Sequence, residues 1–357
     1  MIHDIVFLIL GLLLLIGGAN YVTDGAVAVA RRFHVSNLMI GLTVVALGST
    51  ASDIAVCVES ALENKPALAM GEVIGSNIFD LLLVVGCMGI IRPWRTSDLM
   101  RRQDLPILFI ASAALWIAGD SVIFDNAAHN VIDRSAGMML IVIFVFYMWF
   151  MINASKNPNS LQSASEGDAS PTTSSTDVTS STAGIAAAHG VKAELRMINS
   201  KIKQLEGKQW FSWLLIVGGL GALVIGGNWV VDGASGLALK IGMSQGMVAL
   251  TVVAIGNALP DLITSMTATL KGACGIAFGN IVGSCIINAL LSIGLSALFI
   301  PLQADTIGFV DFITLVGASA LLWAVPSILK THRIGRIFGV CLVGLYIAYM
   351  AFTVARG

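Results

Sequence analysis

The chain has 357 residues, of which 56% are hydrophobic and only 11% charged, and its 20 Lys and Arg against 21 Asp and Glu leave a formal net charge of −1. Soluble domains carry about 25% charged residues, so a pair of soluble domains is excluded. The balanced charge singles out no partner, and nucleic acid is not expected to be one.

Apolar stretches long enough for the ~20 residues that cross a bilayer recur from end to end. Ten spans are predicted, at about 4–23, 37–61, 67–90, 104–119, 132–153, 210–231, 245–269, 273–299, 307–326 and 335–354. The N-terminal MIHDIVFLILGLLLLIGGANY has neither a basic leader nor a small-residue cleavage site, and reads as a retained first helix. The five cysteines (57, 87, 274, 285 and 341) form no CxxC pair and read as small core residues. The middle of the chain breaks the pattern. Residues 155–182 are rich in Ser and Thr and too poor in large apolar residues to fold alone. Residues 186–209 space Val191, Leu195, Ile198, Ile202 and Leu205 as one short amphipathic helix would. A surface-lying helix and a solvated linker helix both fit that spacing.

The two sides of this segment repeat each other. GLTVVALGSTASDIAV…GEVIGSNIFDLLLVVG in 41–86 returns as ALTVVAIGNALPDLIT…GNIVGSCIINALLSIG in 249–294, at a constant offset of 208. Gly18, Asn20, Asp24 and Gly25 fall on Gly226, Asn228, Asp232 and Gly233 without a gap. Such a match marks a duplication. Five spans per copy mean that the copies enter the membrane from opposite sides. The expected fold is therefore all-α and polytopic, with ten transmembrane helices in two inverted five-helix repeats: 1–153, a linker at 154–209, and 210–357. The functional site is expected where the repeats meet. With the N-terminus outside, ten Lys and Arg outside the central segment face the cytoplasm, while Lys65, Arg134, Lys240 and Arg356 face out. The central segment is then cytoplasmic as well.

A carboxylate at mid-membrane costs roughly 2.5–3.5 kcal/mol on insertion scales and is a functional candidate for that reason. Three stand in the repeated motif, Asp53, Asp80 and Asp261, and the fourth related position is Asn288. The same 27 residues separate 53 from 80 and 261 from 288. One helix can cross, turn and return to the same depth within that distance, so four oxygen-bearing side chains are expected to converge. Gly48 and Gly256, with Pro260, are expected to break the helices and free carbonyls at Ala46 and Ala254. With Ser49, Thr50, Asn257, Ser76 and Ser284 this makes an all-oxygen set suited to a hard cation. No His or Cys stands near enough to favour a transition metal. Asp24 and Asp232 read as caps at the ends of their spans, and Asp311 and Glu59 as local features. Glu72, whose repeat mate is Asn280, is an extra acid at the edge of this set. Gly71, Gly75, Gly279 and Gly283 suit close helix packing.

LTVVALGSTASD with GEVIGSNIFD, and LTVVAIGNALPD with GNIVGSCIIN, resemble the two α-repeats of the cation/calcium antiporter superfamily, the sodium/calcium exchangers. The resemblance spans nearly the whole chain. It implies alternating access, with a two-helix bundle sliding past a rigid core, and exchange of sodium for calcium with no cofactor and no enzymatic step. It also implies that Asp53 and Asp261 are the two main acidic ligands. The family's Thr-Ser pair falls on Ser49-Thr50 and on Asn257-Ala258, its proline on Ser52 in the first copy, and its usual Asn/Asp arrangement is swapped at Asp80 and Asn288. Protons or potassium remain alternative counter-ions. A multi-pass protein of a prokaryotic inner or plasma membrane is expected, sufficient as a monomer, with small inorganic cations as its partners. Two other classes fit the sequence less well. An intramembrane aspartyl protease gives no reason for the fourth position or the inversion, and a channel would show symmetry between subunits.

Overall fold

The computed structural model describes residues 2–33, 37–62, 66–98, 100–120, 130–155, 209–240, 254–303, 309–328 and 333–356. The expected amphipathic helix of the central segment lies outside these residues, as do residues 245–253 of the seventh predicted span. The described chain is almost entirely helical. The first repeat contains α1 (Ile2–Phe33), α2 (37–62), α3 (66–91), α4 (100–119) and α5 (Arg134–Ser155). The second contains α6 (Gln209–Lys240), α7 (Ala254–Leu270), α8 (274–299), α9 (Phe309–Ile328) and α10 (Arg336–Arg356). Seven of these helices are long and apolar enough to cross a membrane. The other three, α2, α4 and α7, are broken or shorter, and the ten crossings remain the sequence expectation.

Two short ribbons tie the repeats together. Trp94–Arg95 (β1) pairs antiparallel with Arg333–Ile334 (β4), and Val131–Ile132 (β2) with Leu302–Gln303 (β3). Trp94 and Leu302 keep the offset of 208, whereas Ile132 and Ile334 lie 202 apart, so the second copy is six residues shorter across its fourth helix.

The first and sixth helices extend well past their predicted spans, to 32 residues each. At 1.5 Å per residue that is about 48 Å, more than the ~30 Å hydrocarbon core, so both must tilt or project. They pack antiparallel, as repeat-related helices must when one copy is inverted. A Cβ at Gly11 would lie 2.7 Å from the Gly226 carbonyl oxygen, and one at Gly18 would lie 2.7 Å from that of Gly219. Gly25 meets the Ser212 carbonyl and Gly233 that of Asp4. These positions recur every seven residues on both helices, a period that keeps one seam of a left-handed crossing in contact. Ion pairs close the ends: Asp4 with Lys240 of α6, and Asp24 with Lys271, whose Nζ is 2.7 Å from Oδ1. Asp24 and Asp232 are therefore not caps of broken helices. The helices run unbroken through both, and Asp24 reaches sideways to the α7–α8 connection. Gly272 turns that connection at a φ of 84°, a conformation that favours glycine.

The core lies around α3 and α8. In α8 every residue from Ile276 to Ile287 is buried. Gly283 brings its backbone against Leu42 and Ala46 of α2, where a Cβ would meet the Leu42 carbonyl oxygen at 2.7 Å, and Gly279 approaches Leu38 as closely. Gly75 has nothing within 4 Å among the described residues. Large apolar side chains point outward instead, Val142 and Phe146 on α5 and Ile337 and Val340 on α10 among them. In water this would be an adhesive surface; for a membrane protein it is the lipid-facing one. Cys57, Cys274 and Cys285 are buried free thiols, as expected. Cys87 is half-buried and Cys341 exposed, so these two are not core residues.

Candidate cation site

The site is built where broken helices meet across the repeat boundary. In α2 the backbone widens to a π-helical stretch at Gly41–Val45, resumes as α-helix to Ser49, turns at Thr50 and restarts at Ala51. Thr50 sits at φ −82°, ψ −3°. The cause is local competition for one carbonyl. Ala46 C=O accepts the Thr50 N–H at 3.0 Å, the Thr50 hydroxyl at 2.7 Å and the Ser49 hydroxyl at 3.2 Å. Hydroxyls that bond back to the preceding turn bend helices. Asp53 falls in the first turn of the restarted helix, where the helix dipole favours a carboxylate.

The expected free carbonyl at Ala46 is thus not free, because those three donors occupy it. The expected break at GNALPD is also absent from the described residues. Ala254–Leu270 continues as one α-helix with Pro260 inside it. Pro260 removes only the N–H that the Gly256 carbonyl would accept. Ala254 opens this helix, Asn257 lies in its first turns, and the side chain of Asn257 lies outside the description.

In α3 and α8 the backbone again widens to π-helix, at Phe79–Val84 and Asn288–Ser292. These stretches set Asp80 and Asn288 at equivalent points of the two copies. Such bulges are frequent at functional sites. Between them Asn77 and Cys285, themselves 208 apart, touch reciprocally: Asn77 Nδ2 donates to the Cys285 carbonyl at 3.1 Å, and Cys285 Sγ lies 3.9 Å from the Asn77 carbonyl. Repeat mates in direct contact lie on the pseudo-two-fold axis. The four predicted positions surround it.

Asp53, Asp80, Asp261 and Asn288 are all buried, at 8%, 1%, 7% and 0% exposure. Each carboxylate receives a donor from α8. Asn280 Nδ2 donates to Asp261 Oδ1 at 3.0 Å, Ser284 Oγ to Asp80 Oδ2 at 3.3 Å, and Asn288 Nδ2 to Asp53 Oδ2 at 3.0 Å. Ser292 Oγ donates to Asn288 Oδ1 at 3.2 Å and so fixes which end of that amide faces Asp53. Ser49 Oγ reaches Asn280 Oδ1 at 3.1 Å. Among the described residues no three of His, Cys, Asp and Glu converge tightly enough to hold a metal ion by themselves. Amide and hydroxyl groups separate the three carboxylates, so an ion here needs mixed oxygen ligands.

Not every predicted residue joins this cluster. Ser76 donates to the Val73 carbonyl of its own helix at 3.2 Å; its mate Ser284 lies equally against the Ile281 carbonyl, at 3.0 Å, but also reaches Asp80. Asp311 is buried and accepts from Tyr349 at 3.1 Å, well away from the axis. Asn280 joins the cluster without having been predicted. Its signal lay in the step of four from 280 to 284 to 288, which sets three side chains on one helix face.

The family model for sodium/calcium exchanger protein matches residues 3–153 and 211–355, five-helix blocks on both sides of the central segment. The chain belongs to the sodium/calcium exchanger family. Members of this family are membrane transporters, not enzymes. Among relatives of this exchanger chain, putative antiporter CaxA of Alkalimonas amylolytica is 28% identical over 349 residues, 96% of each chain. Sodium/calcium exchanger MaX1 of Methanosarcina acetivorans is 26% identical over 362 residues, 97% of each chain. The solved sodium-calcium exchanger NCX_Mj superposes with a TM-score of 0.74 at 26% identity, covering 98% of this chain and 97% of its own. An all-helical, multi-pass cation/calcium antiporter is therefore the coarse identity of the protein.

Proposed function

We propose that this chain exchanges calcium for sodium across the membrane by alternating access, using Asp53, Asp261, Asp80 and Asn288 as a shared cation site. Ser49, Thr50, Asn257, Ser284 and the backbone at Ala254 supply further oxygens, and Ser76 joins them only if its helix turns. The observation that carries this reading is the set of three buried carboxylates, each held by one donor of α8, around the axis relating the repeats. Three negative charges at that depth must be balanced before the surrounding helices can move against lipid. A divalent and a monovalent cation supply that balance with oxygen ligands alone. MaX1 and NCX_Mj, which carry the sodium/calcium name, support the choice of ions.

The glycine seam of α1 and α6 suits two helices that slide as a pair along the core. Gly48, one residue before Ser49, lies directly beneath Leu220 of α6, so such motion is felt at the site. The N-terminus is assigned to the outside and the central segment to the cytoplasm of a prokaryotic inner or plasma membrane, with one monomer holding a complete site.

A calcium/proton exchanger is the second reading. It is favoured by Asp80, whose buried Oδ1 has no hydrogen-bond partner among the described residues and could accept the proton. Calcium-45 uptake into proteoliposomes loaded with sodium, potassium or choline, each at two pH values, separates the readings. Uptake that requires internal sodium is expected. Uptake driven by a proton gradient in sodium-free medium would replace sodium by protons as counter-ion.

A further inference from the structure

The duplication continues beyond residue 86 at shorter offsets. Asp104, Ser112 and Trp116 of α4 return 207 residues later as Asp311, Ser319 and Trp323 of α9. Gly137 and Tyr147 of α5 return 202 residues later as Gly339 and Tyr349 of α10. Each copy therefore places one acid near the start of its fourth helix and one phenol on its fifth. In the second copy the two meet, and the Tyr349 hydroxyl donates to Asp311 Oδ1 at 3.1 Å. In the first copy they are left open. Asp104 and Tyr147 are only 2% and 3% exposed. Asp104 Oδ2 and the Tyr147 hydroxyl are both buried without a hydrogen-bond partner among the described residues. The Asp104 carboxyl lies within electrostatic reach of that phenol.

The groups around Asp104 leave its charge without a counter-ion among the described residues. Arg101 of the same turn pairs with Asp98, while Arg95, Arg102 and Arg333 are exposed. On α5 the titratable groups are Tyr147 and, at the far end, Arg134, which reaches the Phe299 carbonyl. Helix α9 runs antiparallel to α4 and carries its acid, Asp311, near the opposite end, where Phe312 packs on Gly119. On α8 the titratable groups are the thiols of Cys274 and Cys285. An ionised carboxylate buried without a cation is costly, and such a group neutralises instead. A neutral carboxyl has a hydrogen to donate.

We propose that Asp104 and Tyr147 form a proton-binding site, separate from the cation site, in which the neutral Asp104 carboxyl donates toward the Tyr147 hydroxyl oxygen. The proton comes from water on the membrane side where α5 runs into the central segment. It completes in the first copy the link between fourth and fifth helices that the second copy makes with its own atoms. Those helices stand behind the broken parts of the core. Helices α4 and α5 both touch the π-helical stretch Asn288–Ser292, as α9 and α10 touch Phe79–Val84. The Phe79 ring itself meets Tyr346 of α10 edge-on, 5.6 Å between centroids. The bound proton thus steadies the wall behind Asn288 and is not itself exchanged.

Melting temperatures of the purified full chain, from mildly acidic to alkaline pH, test this. In the unfolded chain Asp104 meets water and ionises in the ordinary carboxyl range, whereas the folded chain keeps its proton at higher pH. The unfolded state then binds fewer protons, so this group's contribution to stability falls as pH rises. Asp104→Asn cannot ionise and is expected to lose less melting temperature over the range, so that its curve and the parent's diverge with pH. The central carboxylates are common to both proteins and cancel in the comparison. A constant gap between the curves would overturn the proposal, because it would mean that Asp104 only fills space. Tyr147→Phe keeps the acid and gives a second reading should Asp104→Asn fold poorly. Without the phenol oxygen the proton is held less tightly, and the midpoint of the parent's fall is expected about one pH unit lower. An unmoved or raised midpoint would show that the phenol does not hold the proton.

Discussion

Asn280 links Asp261 of α7 to Ser49 of α2, donating to one and accepting from the other. Replacing it by Leu fills similar volume but takes the Asn280 amide donor from a buried carboxylate and one acceptor from a buried hydroxyl, a loss of about 1–3 kcal/mol. Asn280→Leu is expected to lower the melting temperature and to weaken calcium activation of transport. An unchanged melting temperature would mean that the amide is not what holds Asp261. The acids themselves were legible in the sequence, because a charge inside an apolar span is conspicuous and the spacing of 27 pairs them. Asn280 was not, because a neutral amide in such a span costs less and draws no notice, and its spacing of four ties it to residues on its own helix. The fate of Ser76 was equally hidden. Both hydroxyls lie against the carbonyl three residues back, Val73 and Ile281, and only Ser284 also has a carboxylate, that of Asp80, within reach.

At the scale of the helix, the seam between α1 and α6 depends on residues without side chains. Gly18→Ala would place a Cβ 2.7 Å from the Gly219 carbonyl oxygen, and backbone must move to admit it. Overpacking of this kind costs about 1–3 kcal/mol. Gly17, the adjacent residue, has nothing within 4 Å among the described residues, and Gly17→Ala is expected to be neutral or to gain up to about 1 kcal/mol of helix propensity. Melting temperatures of the two variants check this, and equal effects would deny that the seam is closely packed. The heptad of glycines is present in the sequence, but a constant offset between the copies explains the same residues as a duplication. Contact between α1 and α6 is what gives the spacing a second meaning. The helix breaks followed the hydroxyls and not the proline. Ser49 and Thr50 bend α2 by capturing the Ala46 carbonyl, whereas α7 carries Pro260 through without a break.

For the whole molecule, the inverted repeat was legible because the constant offset, five apolar spans per copy and the placement of Lys and Arg all derive from the same duplication. Its antiparallel α1–α6 pair and its two symmetric ribbons follow from that. The orientation in the membrane is a separate matter, and labelling tests it. Ser165→Cys in the central segment is expected to react with a membrane-impermeant maleimide in inside-out vesicles and not in intact cells, above the background of the parent's own thiols. Reaction in intact cells would reverse the assigned orientation. The central claim is that the buried carboxylates around the repeat axis carry the exchanged ions, and the most direct measurement is sodium-driven calcium-45 uptake by Asp261→Asn beside the parent and Asp311→Asn. Asp261→Asn is expected to fold normally and transport no calcium above empty liposomes, with Asp311→Asn close to the parent. Calcium uptake by Asp261→Asn at the parent's rate would contradict the site.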